Sequence, residues 1–211
     1  MKHLSMEEKE FSGTDSLKLI QQMITVAKED RSEDGDGWLL WGWLLFGASV
    51  ASVILDILGY TRYCGTVWLL MLGVGLVIYT IAKLTSKKEV FVKTYIHELV
   101  SKIEKAFFIS LLAMVAGSMA YGQLYQFGYY YILYAFWMFI HGSSIRFKPL
   151  IVGAFVNWAA ALAIFAIGLS DNRQYHLRYV MIISAVAILV GYLVPGYMLR
   201  KEFKSKKKEA R

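Results

Sequence analysis

The sequence predicts an all-α polytopic membrane protein, a six-transmembrane-helix bundle with short cytoplasmic amphipathic helices. Three observations carry this. Hydrophobic residues make up 57% of the chain and charged residues only 18%. Uncharged runs occupy 38–55, 63–82, 106–145, 149–170 and 179–199, and a helix needs roughly 20 such residues, at ~1.5 Å each, to cross a ~30 Å hydrocarbon core. The runs are continuous rather than alternating, which selects helices over a closed barrel, the other structure that satisfies every backbone polar group in lipid. Since 106–145 is twice the required length, it folds back once, at 121–128, where glycines and glutamines interrupt the apolar pattern. The expected spans are therefore 38–59, 64–84, 106–123, 127–145, 149–169 and 178–199.

Residues 1–37 form a polar N-terminal segment, and no leader with a cleavage site is expected ahead of Trp38. From Asp15 or Ser16, either a good N-cap, Leu17, Ile20, Met23, Ile24 and Ala27 share one helical face. That helix either lies in the headgroup boundary or packs on cytoplasmic loops. Asp30, Ser32, Asp34, Gly35 and Asp36 match the opening positions of a calcium loop, but the position that should carry a bidentate Glu is Trp41. An acidic elbow is the expectation, not a metal site.

Trp38, Trp41 and Trp43 open the first span as an interfacial anchor, and Gly47, Ala48, Ala51 and Ser52 offer a small-residue face for close helix contact. Asp56, the one acid inside an expected span, reaches either a functional site or the headgroups, with Arg62 as a partner. Between the second and third spans, 86–105 reads as an amphipathic helix: Ser86 and Glu89 form a capping box, and Val92, Ile96, Leu99, Val100 and Ile103 make one apolar stripe. No Gly or Pro separates it from the third span. Tyr129, Tyr130, Tyr131 and Tyr134 read as an aromatic belt, Pro149 starts the fifth span, and the sixth ends at the basic tail 200–211. With both termini cytoplasmic, only Arg62, Arg173 and Arg178 of the 23 basic residues fall outside.

The order of these parts resembles a group of uncharacterised small bacterial six-helix integral membrane proteins with an N-terminal amphipathic helix. The features that carry the resemblance are Leu40–Trp43 opening the first span, Phe147–Pro149 followed by Gly153 and Trp158, and a terminal Pro195–Arg200. It implies the architecture and a bacterial inner-membrane location, and no activity.

Several chemistries lack their residues. The single Cys64 excludes an intramolecular disulfide. His97-Glu98 continues as Leu-Val-Ser-Lys, not as a metalloprotease motif. Ser110 and Ser118 have no His in the sixth span to activate them, and His3, His97, His141 and His176 are too scattered for paired haem ligation. No cofactor and no catalytic residue is expected.

What remains is a polar set within the membrane, Asp56, His141, Ser143, Ser144 and Asn157, of which the last four are expected to converge between spans four and five. They form either a small pocket or interhelical hydrogen bonds worth about 0.6 kcal/mol each. Lys87, Lys88, Lys93, Lys102, Lys105, Lys204, Lys206, Lys207 and Lys208 are the candidate docking residues for anionic lipid headgroups or a cytoplasmic protein partner. Nucleic acid is not expected as a partner, because the charge of +7 sits beside membrane spans. Self-association as a homo-oligomer stays open. The functional expectation is a non-enzymatic regulatory or scaffolding protein. The alternative is a small-solute or ion transporter or channel.

Overall fold

The computed structural model describes residues 34–85, 95–121, 126–169 and 176–209. Within them the chain forms α1 (Asp36–Ile57), a 3-10 turn (Thr61–Tyr63), α2 (Cys64–Thr85), α3 (Tyr95–Tyr121), α4 (Gln126–Ser144), α5 (Lys148–Gly168) and α6 (His176–Ile188). A π-turn (Leu189–Leu193) carries α6 directly into α7 (Val194–Glu209). Four stretches, Asp36–Ile57, Thr61–Ala82, Lys148–Gly168 and His176–Lys206, are long and apolar enough to cross a membrane. Their outward faces are apolar too: Leu70, Val77, Val152 and Leu162 are all exposed. Such a surface suits hydrocarbon and would be a liability in water.

Helix boundaries follow local chemistry. At the end of α1 the Tyr60 N–H donates to Leu55 O (2.8 Å) and the Gly59 N–H to Asp56 O (3.1 Å), with Gly59 at φ 81°. This is the Schellman pattern, and glycine enters its left-handed position without steric cost. The end of α4 repeats it through Phe147 to Gly142 (2.8 Å) and Arg146 to Ser143 (3.3 Å), but with Arg146 at φ 56° in the left-handed position. Pro149 in the first turn of α5 then costs no hydrogen bond. The helix expected from Ser16 and the opening of the amphipathic stretch, 86–94, lie outside the described residues. From Tyr95 that stretch runs on into the apolar part of α3 as one rod.

The tight core is made by α1, α4, α5 and α6 with the π-turn. α4 and α5 form the closest-packed hairpin, and α1 lies along α6. The crossing of α5 over the π-turn is closer than side chains allow: a Cβ on Gly153 would overlap Gly191 O, and one on Gly191 would stand 2.7 Å from Asn157 Nδ2. Gly42 of α1 meets the same turn, where a Cβ would stand 2.6 Å from Leu193 Cδ2. Without a hydrophobic driving force between helices in lipid, such close packing is what holds them together. The buried face of α1 is Gly42, Leu45, Ala48, Ser49 and Ser52. It includes Ala48 and Ser52 of the expected small-residue face, while Gly47 points into open space.

The helices are also linked at both ends. At the upper end Arg178 Nε meets Asp56 Oδ2 at 2.9 Å, and at the lower end Arg200 Nε meets Asp36 Oδ1 at 3.1 Å. Trp43 Nε1 adds a hydrogen bond to Tyr197 Oη at 3.0 Å. By contrast, among the described residues the backbone of α2 packs closely on α1 and that of α3 on α4, and the two helices meet each other through side chains such as Tyr79 and Phe108.

The crossing gives a direct test. Gly153→Ala is expected to destabilise the protein by about 1–3 kcal/mol through overpacking, whereas Gly47→Ala, with open space around its Cβ, should change stability by no more than about 1 kcal/mol, the helix-propensity difference. Thermal unfolding of both variants in the same detergent checks it.

Candidate functional site

Because the backbones of α2 and α3 pack closely on α1 and α4 and reach each other only through side chains, a cavity of about 580 Å³ opens between α1, α2, α3 and α4. Helical spacing places its α3 wall, since Glu104, Phe108, Leu111, Val115 and Ser118 recur every three or four residues on one face. The wall from Glu104 to Ser118 is roughly 21 Å long at ~1.5 Å per residue, so the cavity is a sleeve that runs along the helices. Its middle is lined by Leu45, Met71, Leu72 and Leu111. Thr61, Cys64, Ser118 and Gln126 stand at its upper end.

The lower end is built from rings. Tyr79 of α2 lies 5.9 Å from Phe108, Phe108 lies 5.4 Å from Phe107, and Phe107 stacks on Trp137 of α4 at 5.4 Å. Trp137 then lies 5.2 Å from His141, and His141 lies 5.3 Å from Trp38 of α1. Trp41, one turn above Trp38, lies 6.2 Å from Phe108. The separations suit tilted and offset ring pairs. Together the rings form a collar around the mouth of the sleeve. Glu104 sits on its rim, half-buried, where Tyr79 Oη donates to Glu104 Oε1 at 2.8 Å. The neighbouring Lys102 pairs with Glu98 at 2.8 Å.

The polar set expected within the membrane divides. Asp56 is at the upper end, bonded by Arg178 rather than Arg62, with Thr61 Oγ1 donating to Asp56 Oδ1 at 3.4 Å. His141 is buried in the collar at the lower end. Ser143 is exposed and Ser144 half-buried near the end of α4. Asn157, 1% exposed, lies at the α5 crossing, where its Nδ2 donates to Gly153 O at 2.8 Å and contacts Met138 Sδ at 3.5 Å. It does not line the sleeve. His141 is thus the member of that set in the cavity, and Asn157 is part of the helix crossing.

Of the docking lysines, Lys87, Lys88 and Lys93 lie outside the described residues. Lys105, Lys204 and Lys208 are exposed, Lys206 pairs with Glu202 at 2.6 Å, and α7 holds the tail lysines on a helix reaching Glu209. In the acidic elbow Asp30 and Ser32 are likewise undescribed. Asp34 Oδ1 accepts the Asp36 N–H at 3.0 Å, and the Asp36 carboxylate faces Arg200.

Two expectations change sense. Trp38 and Trp41 turn inward to the collar, leaving Trp43 as the exposed ring of the three, and Tyr130, Tyr131 and Tyr134 line the cavity while Tyr129 faces out. Glu104 and Tyr79 were not among the residues expected to matter. The signal for Glu104 was present, because it stands four residues before Phe108 on a face that continues apolar through Val115.

Compared with known proteins, the chain matches no protein-family model, no curated protein and no solved structure.

The Asp56–Arg178 pair is structural and should behave so. Arg178 remains 34% exposed and Asp56 13%, so solvent screening should hold the coupling between Asp56→Asn and Arg178→Gln to about 1 kcal/mol, below the 3–5 kcal/mol seen when fully buried pairs are broken. A double-mutant cycle on unfolding free energy measures it.

Proposed function

We propose that this chain is a six-span, non-enzymatic protein of the bacterial inner membrane that binds a small apolar or amphipathic molecule in the sleeve, as a carrier or membrane receptor. The observation that carries the reading is the sleeve itself. Its volume of about 580 Å³ falls within the ~300–1,000 Å³ of ligand pockets, and its wall combines many aromatic and aliphatic groups with a few polar ones at the two ends. Interhelical packing alone has no use for such a space, since every ring bordering it forgoes contacts.

In this reading α3 and α4 are the third and fourth spans. Both termini are cytoplasmic, which sets Glu104, His141 and the collar at the inner boundary and Asp56 with Arg178 at the outer one. The carrier form is the transporter alternative that the sequence raised. α2 and α3 are the elements suited to move, because among the described residues the backbone of each packs closely on one other helix.

Filling the sleeve tests the proposal. Gly65 lines it and has nothing within 4 Å of an added Cβ, so Gly65→Phe should fold normally. Energy transfer from tryptophan to N-phenyl-1-naphthylamine in nanodiscs should show saturable binding to the wild type and at least a roughly tenfold loss in the variant, equivalent to about 1.4 kcal/mol. Transfer that never saturates, or is the same in both proteins, counts against a ligand site.

A second reading, regulatory or scaffolding, is favoured by α7, which projects Lys204 and Lys208 into the open as a continuation of α6. Basic residues beside an anionic leaflet gain roughly 1 kcal/mol each. Changing Lys204, Lys206, Lys207 and Lys208 to Gln, with Arg200 and Lys201 kept, should leave the topology unchanged and remove salt-sensitive attraction of the tail to anionic nanodiscs. Equal salt dependence in both proteins would leave these lysines only an orienting role.

A further inference from the structure

We infer that the collar receives the ammonium head of a single-chain cationic amphiphile, whose apolar tail lies along the sleeve. The inference rests on the sleeve being a ligand site and adds the charge and shape of what enters. Two features at the lower end point to a cation. The collar is a run of ring contacts from Trp38 through His141, Trp137 and Phe107 to Phe108, which Tyr79 and Trp41 also meet. Aromatic faces carry negative electrostatic potential, and rings grouped around one space are how quaternary ammonium groups are recognised. Among the described residues the one carboxylate lining the sleeve, Glu104, stands on the collar rim, its Oε1 taking a hydrogen bond from Tyr79.

Charge complementarity separates this from a site for an anion or a neutral molecule. A negative group at Glu104 would face a carboxylate held at the edge of a low-dielectric space, where like charges repel far more strongly than in water. A neutral head would leave the carboxylate uncompensated there, which is costly in proportion to its burial. An ammonium meets both the carboxylate and the ring faces. Its alkyl groups also lose less hydration on entry than a compact primary ammonium would, so a methylated head fits the collar best.

The shape of the sleeve sets the remainder of the ligand. Above the collar the lining mixes aliphatic side chains, at Leu45, Met71, Leu72 and Leu111, with the rings of Trp68, Phe127, Tyr130, Tyr131 and Tyr134, and the space runs along the helices. One extended alkyl chain running upward from the collar would lie among these side chains at van der Waals distance. The head would then rest near the membrane boundary, where Glu104 marks the change from the charged to the apolar part of α3.

The test uses three probes of one tail length, octyltrimethylammonium, octanol and octyl sulfonate, added to the full-length protein in zwitterionic nanodiscs. Each is measured by displacement of N-phenyl-1-naphthylamine and by thermal shift, which reports ligand binding to the folded state. The cation is expected to bind roughly tenfold more tightly than octanol, and octyl sulfonate most weakly. Glu104→Gln keeps a carbonyl to accept the Tyr79 hydroxyl, so its unliganded melting temperature should stay near that of the wild type while the advantage of the cation over octanol falls by about tenfold. Equal affinities for all three probes, a preference for the sulfonate, or a cation preference that survives Glu104→Gln would overturn the inference while leaving the sleeve as a ligand site. If the neutral reporter itself shows no saturable binding, the reading of the sleeve falls, and this inference with it.

Discussion

The close crossing of α5 and the π-turn is the constraint on which the rest depends. Gly153 and Gly191 bring two backbones together where no Cβ fits, and Asn157 supports the approach by bonding the Gly153 carbonyl from its own helix. Helices in lipid gain little from hiding apolar surface, so closeness of contact decides which pairs are strong. The widened turn at Leu189–Leu193 belongs to the same arrangement: it presents Gly191 to α5 and Leu193 to Gly42 of α1. Once these three elements are locked, α4 follows through its short turn to α5. Arg146 accepts an unfavourable left-handed conformation to make that turn.

The outer pair, α2 and α3, has no equivalent contact. Where α2 meets α1, Gly75 lies under the Trp41 ring, so that a Cβ there would come within 2.5 Å of the indole. α3 is held to α4 through Phe107 on Trp137 and through Ser118 and Tyr130, whose hydroxyls are 2.9 Å apart. Between these two lines of contact the large rings meet at tilted and stacked angles and hold the helices apart. The sleeve is the volume left between a glycine-tight core and a ring-spaced periphery. Its polar groups collect at the two ends because the middle of a bilayer tolerates few of them.

Much of the fold was legible before any coordinates. Length, continuity of the apolar runs and the position of basic residues give helices that can cross a membrane, and Gly59 and Pro149 mark two helix boundaries by their own stereochemistry. The polar set was legible as residue types and not as a site. Asp56 and Arg178 are 122 positions apart, and nothing local distinguishes Arg178 from Arg62 as the partner. His141 and Asn157 lie on neighbouring helices, yet His141 faces the collar and Asn157 the crossing. Which side of a helix meets which neighbour depends on rotations of a few tens of degrees. A mean composition that is apolar on every side does not encode them.

By itself, then, the sequence determined the class of structure, the approximate helix limits and the absence of several catalytic signatures, because those follow from hydrocarbon thickness, backbone hydrogen bonding and residue chemistry. Only the tertiary structure decided that Trp38, Trp41, Tyr130, Tyr131 and Tyr134 face inward rather than forming a belt, and that Glu104, Tyr79 and His141 share one mouth. The physical reason is that an aromatic ring near a membrane boundary is equally at home against headgroups or in a cavity. The choice between them is made by how far neighbouring backbones can close, and that is set at the distant glycine crossing.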